Sequence, residues 1–245
     1  MEVVVFTSDK YVSLLDSFAY LFNKHWGKDQ RVNVLGFSPP KLSLPANFNF
    51  ISAGRQTDFP KGAVCEPFRP ILESLNTDIF ALMLDDLFLV DTVDLELLHK
   101  AVDLLENKKA SKVELFFGAN YQYKSSLPYN DDFNVFRQDM DYRYTTCQCL
   151  ITKEYLFKYF DQPTMWDLET NNIPKSKNDG HVLLVPRSKP IAPWINTVVK
   201  GRFNQKHLDQ MLQSKSGRNY GWNKFQKLND EEYEIFLSLK DWKTA

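Results

Sequence analysis

The stretch Ile79-Phe80-Ala81-Leu82-Met83-Leu84 runs without a polar break into Asp85-Asp86 and on to Leu87-Phe88-Leu89. An apolar run of this length, bounded by polar residues, predicts a strand buried on both faces. Such strands belong to sheets covered by helices, and ligands bind beyond their carboxyl ends. Two carboxylates at that point repel each other unless something positive lies between them. A divalent cation is the usual solution, because hard cations take carboxylate oxygens. The alternative is a pair of exposed acids capping the next helix.

The flanking sequence alternates strand and helix patterns. Glu2 to Phe6 is a β-branched run that ends in Thr7-Ser8-Asp9-Lys10-Tyr11. Tyr11 to Trp26 carries apolar residues at helical spacing and stops at Gly27. Val32 to Phe37 and Asn47 to Ser52 read as strands. Glu66 to Leu75 reads as a helix that Pro70 shortens or kinks. Thr92 is placed to cap a helix from Val93 to Asn107, and Lys112 to Phe117 is a further strand. This order predicts an α/β protein with a mostly parallel sheet flanked by helices in a single domain. From Ala119 to Tyr144 the periodicity fails, and a long aromatic-rich loop facing the substrate is expected, with Tyr121 and Tyr123 in it. Thr145 to Ile151 reads as a strand whose one face carries Cys147 and Cys149. Lys153 to Phe160 reads as a helix, and His181 to Val185 and Ile195 to Val199 as late strands. Gln205 to Leu212 and Asp230 to Leu239 read as tail helices.

Composition narrows the class. With 245 residues, 43% hydrophobic and 25% charged, the chain suits a soluble globular domain able to bury a sizeable core. No apolar run approaches the ~20 residues that span a bilayer. The N-terminus is too short and too acidic for a signal peptide. Three cysteines make neither a disulfide framework nor a four-ligand zinc site, and a reducing cytoplasm is the expected setting. The net charge is −1, but Lys175 to Lys227 holds eleven basic residues against two acids. That local +9 leaves −10 on the remainder and points to an anionic partner for the last third.

Four islands occur in order: Phe6-Thr7-Ser8-Asp9-Lys10-Tyr11, Leu84-Asp85-Asp86-Leu87-Phe88-Leu89, Trp166-Asp167-Leu168-Glu169 and Val198-Val199-Lys200-Gly201. Together they resemble a group of small glycosyltransferases with the GT-A fold, close to the large family-two inverting type. The resemblance runs from the N-terminus to about residue 203. It departs from the group at Phe59-Pro60-Lys61-Gly62, where a Trp is common, and in having Asp-Asp rather than a spaced Asp-x-Asp. It implies sugar transfer from a nucleotide-sugar donor, a UDP-sugar foremost, with Mn²⁺ or Mg²⁺ at the aspartates. It also implies a nucleotide-sugar-binding half over residues 1–118, an acceptor-side half over 119–203 and a helical basic tail over 204–245.

Under that resemblance each candidate residue has a role and a structural alternative. Asp86 is the first choice for direct metal contact, with Asp85 sharing the ion or binding the ribose. Thr7, Ser8, Asp9 and Tyr11 line the donor pocket; alternatively Asp9 only caps the first helix. Arg69 faces a phosphate or forms a surface salt bridge. Lys200 and Arg202, about Gly201, clamp the diphosphate. A carboxylate must take the proton of the attacking acceptor hydroxyl. Asp167 and Glu169 are the candidates; only one of them is expected to point into the site, and Asp167 is favoured because it follows Trp166. Trp166, with Tyr121 and Tyr123, offers an apolar face for the acceptor sugar. His181 is a weaker third metal ligand. The expected acceptor is a carbohydrate or glycolipid. A hydroxylated DNA base is the alternative suggested by the basic third and its Trp194, Phe203, Tyr220, Trp222 and Phe225. A non-catalytic nucleotide- or sugar-binding module is the second alternative.

Overall fold

The computed structural model describes residues 1–41, 43–116, 126–196, 198–199 and 202–203, with backbone alone at 199, 202 and 203. The first half runs β1 (Glu2–Phe6), α1 (Leu15–His25), β2 (Val32–Gly36), β3 (Phe48–Ser52), α2 (Cys65–Ser74), β4 (Ile79–Leu84), β5 (Leu87–Leu89), α3 (Leu95–Glu106) and β6 (Lys112–Glu114). The second half runs β7 (Ser126–Pro128), β8 (Phe133–Phe136), β9 (Cys149–Thr152), α4 (Lys153–Tyr159), α5 (Met165–Asn171), α6 (Ile173–Ser176), β10 (Leu183–Pro186), β11 (Trp194–Asn196), β12 (Val198–Val199) and β13 (Arg202–Phe203).

The main sheet has nine strands in the order β3-β2-β1-β4-β9-β6-β10-β8-β7. β3, β2, β1 and β4 pair in parallel, as do β6 and β10. Only β9 and β8 run against the rest. β4 lies at the centre and behaves as its composition demands. Ile79, Ala81 and Met83 enter one core with α1 and α3; Phe80 and Leu82 enter the other with α2 and α4. All five are nearly inaccessible. Burying each of the larger side chains is worth about 1.5–3 kcal/mol. The result is three layers, helix on sheet on helix. The carboxyl ends of β1, β2, β3, β4 and β6 open along one edge, where the start of the reversed strand β9 joins them.

Several local expectations change. The helix expected after Thr92 is capped by Asp94, whose carboxylate accepts the Leu97 amide at 2.9 Å; Thr92 lies two residues too early to reach that amide. α2 runs through Pro70 to Ser74 rather than stopping there. Tyr11 begins a 3-10 turn over Val12–Leu14, not the α-helix itself. The expected irregular loop contains a hairpin: β7 and β8 pair antiparallel, and Asn130 closes the turn by accepting the amides of Asp132 and Phe133. Its alternation was masked by the many Asn, Asp and Ser residues around it. β9 starts at Cys149, so Cys147 lies in the bend before the strand rather than beside Cys149 on one strand face. All three thiols are free. No helix among the described residues is long and apolar enough to cross a membrane. The tail helices, Tyr121, Tyr123 and Lys200 lie outside the described residues, and Arg202 is described only as backbone in β13.

Candidate active site

The carboxyl edge of the sheet gathers most of the sequence-derived candidates. Thr7 and Asp85 continue β1 and β4 by one residue: the Thr7 amide donates to Leu35 O at 2.9 Å and the Asp85 amide to Phe6 O at 3.4 Å. This ladder puts their side chains against each other, and Thr7 Oγ1 donates to Asp85 Oδ2 at 2.5 Å. Gly36, at the end of β2, makes room for it. A Cβ on Gly36 would stand 2.6 Å from Thr7 Cγ2 and 2.9 Å from the Phe50 ring.

Asp85 is 6% exposed and Asp86 is half-buried in the β4–β5 turn, so neither is a solvated acid. Neither caps a helix, because the next cap is Asp94. Burial pushes the Asp85 carboxyl well above the usual range, and repulsion from Asp86 raises it further. Burial likewise pushes Asp86 up to about 6. Among the described residues no group of three or more His, Cys, Asp or Glu gathers into a metal cage. Two adjacent carboxylates are the donor type for a cation held by one or two carboxylates and completed by waters and substrate phosphates, the usual habit of Mg²⁺. Gln148 lies nearby. Its Nε2 donates to Leu87 O at 2.8 Å, one residue beyond the acids, while its Oε1 is buried without a donor.

The loops beyond β1, β2 and β3 are tied together by Asp9 and Gln56. Asp9 Oδ1 accepts the Ser38 amide and its own amide donates to Gln56 Oε1, both at 2.8 Å. Asp9 therefore does not cap α1, which has no side-chain cap. Ser8 is half-buried and its carbonyl accepts the Tyr11 and Val12 amides. The Tyr11 ring packs against the first core, with Lys10 Nζ 5.2 Å from its centroid.

On the other side of the acids, α5 presents Trp166, Asp167 and Glu169. Thr164 caps this helix by accepting the Asp167 amide and donates its hydroxyl back to Asp167 Oδ2 at 2.7 Å. Trp166 is 70% exposed. Glu169 turns inward: its Oε1 accepts the Thr146 amide at 3.1 Å, with Cys147 Sγ at 3.8 Å. Burial raises its pKa, partly offset by that amide and by Lys112. The two acids of α5 thus diverge, as residues two apart in a helix must.

No family model and no curated protein matches the sequence. Solved structures do. Over 98% of its length the chain is similar to TarS of S. aureus, at a TM-score of 0.50 and 13% identity, spanning 43% of that protein. It is similar over the same share to the mannosyltransferase PcManGT of Pyrobaculum calidifontis, a structure in complex with GDP-Man and Mn2+, at a TM-score of 0.50 and 10% identity, spanning 68% of it. The fold is of the GT-A type. The chain spans less than half the length of TarS.

Two further candidates have partners of their own. The Arg69 guanidinium meets Glu73 at 2.9 Å, Phe160 O at 2.8 Å and the Phe157 ring, so the salt bridge expected as its alternative role is formed. His181 precedes β10, at the opposite edge of the sheet from Asp85. Its Nδ1 pairs with Ser111 Oγ at 2.8 Å and its ring stacks on Tyr155, so it is no third metal ligand. Sequence reasoning missed Lys112, Glu114, Thr145, Thr146, Gln148 and Gln56. Lys112 and Glu114 did leave a signal: two opposite charges, two apart, in an otherwise apolar strand share one buried face.

Proposed function

We propose that this protein transfers a sugar from a nucleotide-diphosphate donor to an acceptor hydroxyl, with a carbohydrate or glycolipid as acceptor. The observation that carries the reading is the buried Asp85–Asp86 turn at the carboxyl end of the central strand of a GT-A fold. Asp86, with Asp85 beside it, would hold Mn²⁺ or Mg²⁺. When bound, the ion supplies Lewis-acid neutralisation of the leaving diphosphate. Thr7 fixes the Asp85 carboxyl, and Thr7, Ser8 and Asp9, just beyond β1, would line the nucleoside pocket. A UDP-sugar is the first donor to test.

We take Glu169, turned inward onto the Thr146 amide, as the base in preference to Asp167, whose carboxylate accepts the Thr164 hydroxyl at the start of α5. In the proposed inverting step the acceptor oxygen bonds to the anomeric carbon while its proton passes to Glu169. The bond from that carbon to the diphosphate breaks, and its electron pair leaves with the nucleotide. A carboxyl raised by burial is a stronger base than a solvated one. Trp166 supplies the exposed aromatic face on which an acceptor sugar would stack.

The test is donor hydrolysis and transfer across a panel of nucleotide sugars, with and without Mn²⁺. Turnover should require the metal and fall roughly 100-fold or more in D86N. E169Q should lose about 10²–10⁴-fold, and D167N less than about tenfold. Metal-independent turnover, or full activity in D86N, would refute the proposal.

A further inference from the structure

Beneath Glu169 lies an ion pair that the transfer chemistry does not use. Lys112 and Glu114 sit two apart on β6, on the face that also carries Cys149, Ile151 and Leu82, and both are almost wholly buried. Lys112 Nζ has three protons and three acceptors: Glu114 Oε1 at 2.7 Å, Thr145 Oγ1 at 2.5 Å and Arg143 O at 3.4 Å. Thr145 Oγ1 donates in turn to Glu114 Oε1 at 3.1 Å, which closes a triangle. The same irregular segment is held at its other end by the Arg143 side chain, which donates to Ser176 O, Phe136 O, Arg137 O, His181 O and Asp179. One residue beyond Thr145, the Thr146 amide meets Glu169.

We infer that the Lys112–Glu114 pair is a positioning device: it fixes the 143–146 segment so that the Thr146 amide holds the Glu169 carboxylate toward the site. The inference rests on the base role proposed for Glu169. Stability alone is a poor account of the pair, because buried ion pairs are often matched or bettered by apolar residues of the same size. A closed triangle that ties β6 to one loop, by two Lys112 contacts and by the Thr145 hydroxyl on Glu114, does explain the charges. It defines where that loop runs, and an apolar pair would leave the loop to find its own place. The charged and titratable groups facing Glu169 are Lys112 and Glu114 from β6, with the Cys147 and Cys149 thiols, which burial keeps protonated.

The experiment pairs an activity readout with one that needs no turnover. In ¹⁵N-labelled wild type the Thr146 amide shift should follow ionisation of one carboxyl, and E169Q should abolish that response. The charge-neutral K112M/E114Q variant should abolish it too, while transfer falls roughly 10- to 100-fold and the donor KM stays within about twofold. T145V should behave in the same direction and T145S should restore both readouts, which keeps the test decisive if the double variant does not fold. The inference is overturned if Thr146 still tracks Glu169 in K112M/E114Q and T145V, whether or not turnover changes. If the Thr146 response is lost as expected but wild type transfers no sugar from any donor, the positioning stands and the base role falls.

Discussion

Two buried charged sites in this molecule are built in opposite ways. Arg143 is fully buried, and its guanidinium donates to four carbonyls and to Asp179. Asp179 in turn accepts from Tyr155, Tyr159 and the His181 amide, and these partners hold its carboxyl below the usual range. At the opposite edge of the sheet, Asp85 and Asp86 stand side by side, both pushed upward by burial. The first site is complete within the protein. The second holds its two acids toward the protonated form. Burial alone does not set how a charge behaves; the groups packed around it decide which way its titration moves.

The sharpest way to break this contrast is to remove Arg143. R143M leaves Asp179 buried without its cation and should cost about 3–5 kcal/mol in urea unfolding. A small loss would mean the amino-edge site is not the internal staple described here. The acid turn should respond in the other direction. The Asp86 pKa rises on folding from 3.8 to about 6, so its contribution to stability is complete below pH 3.8 and is lost as pH climbs through 6. Wild type and D86N should therefore melt together near pH 3.5, and D86N should melt higher by pH 7. Mn²⁺ at pH 7 should raise the melting temperature of wild type and leave D86N unmoved. Equal melting curves at pH 7, with and without metal, would contradict the reading of the turn. The smallest effect concerns the support of the acids. G36A drives a methyl into Thr7 and Phe50 and should cost about 1–3 kcal/mol by thermal melting.

The central strand, the layer order and the acid turn were legible in the sequence because each follows from a local rule. Unbroken apolar residues mark a strand covered on both faces, and Ile79 to Met83 divide between the two cores as that rule requires. Inward-facing Glu169 was not separable from Asp167 on sequence. Their orientations depend on the Thr164 hydroxyl, which bonds the Asp167 carboxylate at the helix start, and on Thr146, twenty-three residues upstream of Glu169, offering an amide. The direction of β9 was equally hidden, since an apolar run reads the same whether its neighbours are parallel or not. The β7–β8 hairpin escaped because its turn is held by the Asn130 side chain rather than by a glycine pair.

Reversal of β9 has a consequence for how such a molecule can change. Because that strand begins, rather than ends, at the open edge, the residues reaching Glu169 come before it in the chain. Lengthening or shortening the stretch between Arg143 and Cys149 would move the anchor of one α5 acid while every strand and the Thr7–Asp85 contact kept their register. Under the proposed function, the half assigned to the acceptor would then be retuned by a few residues of loop, without disturbing the half assigned to the donor.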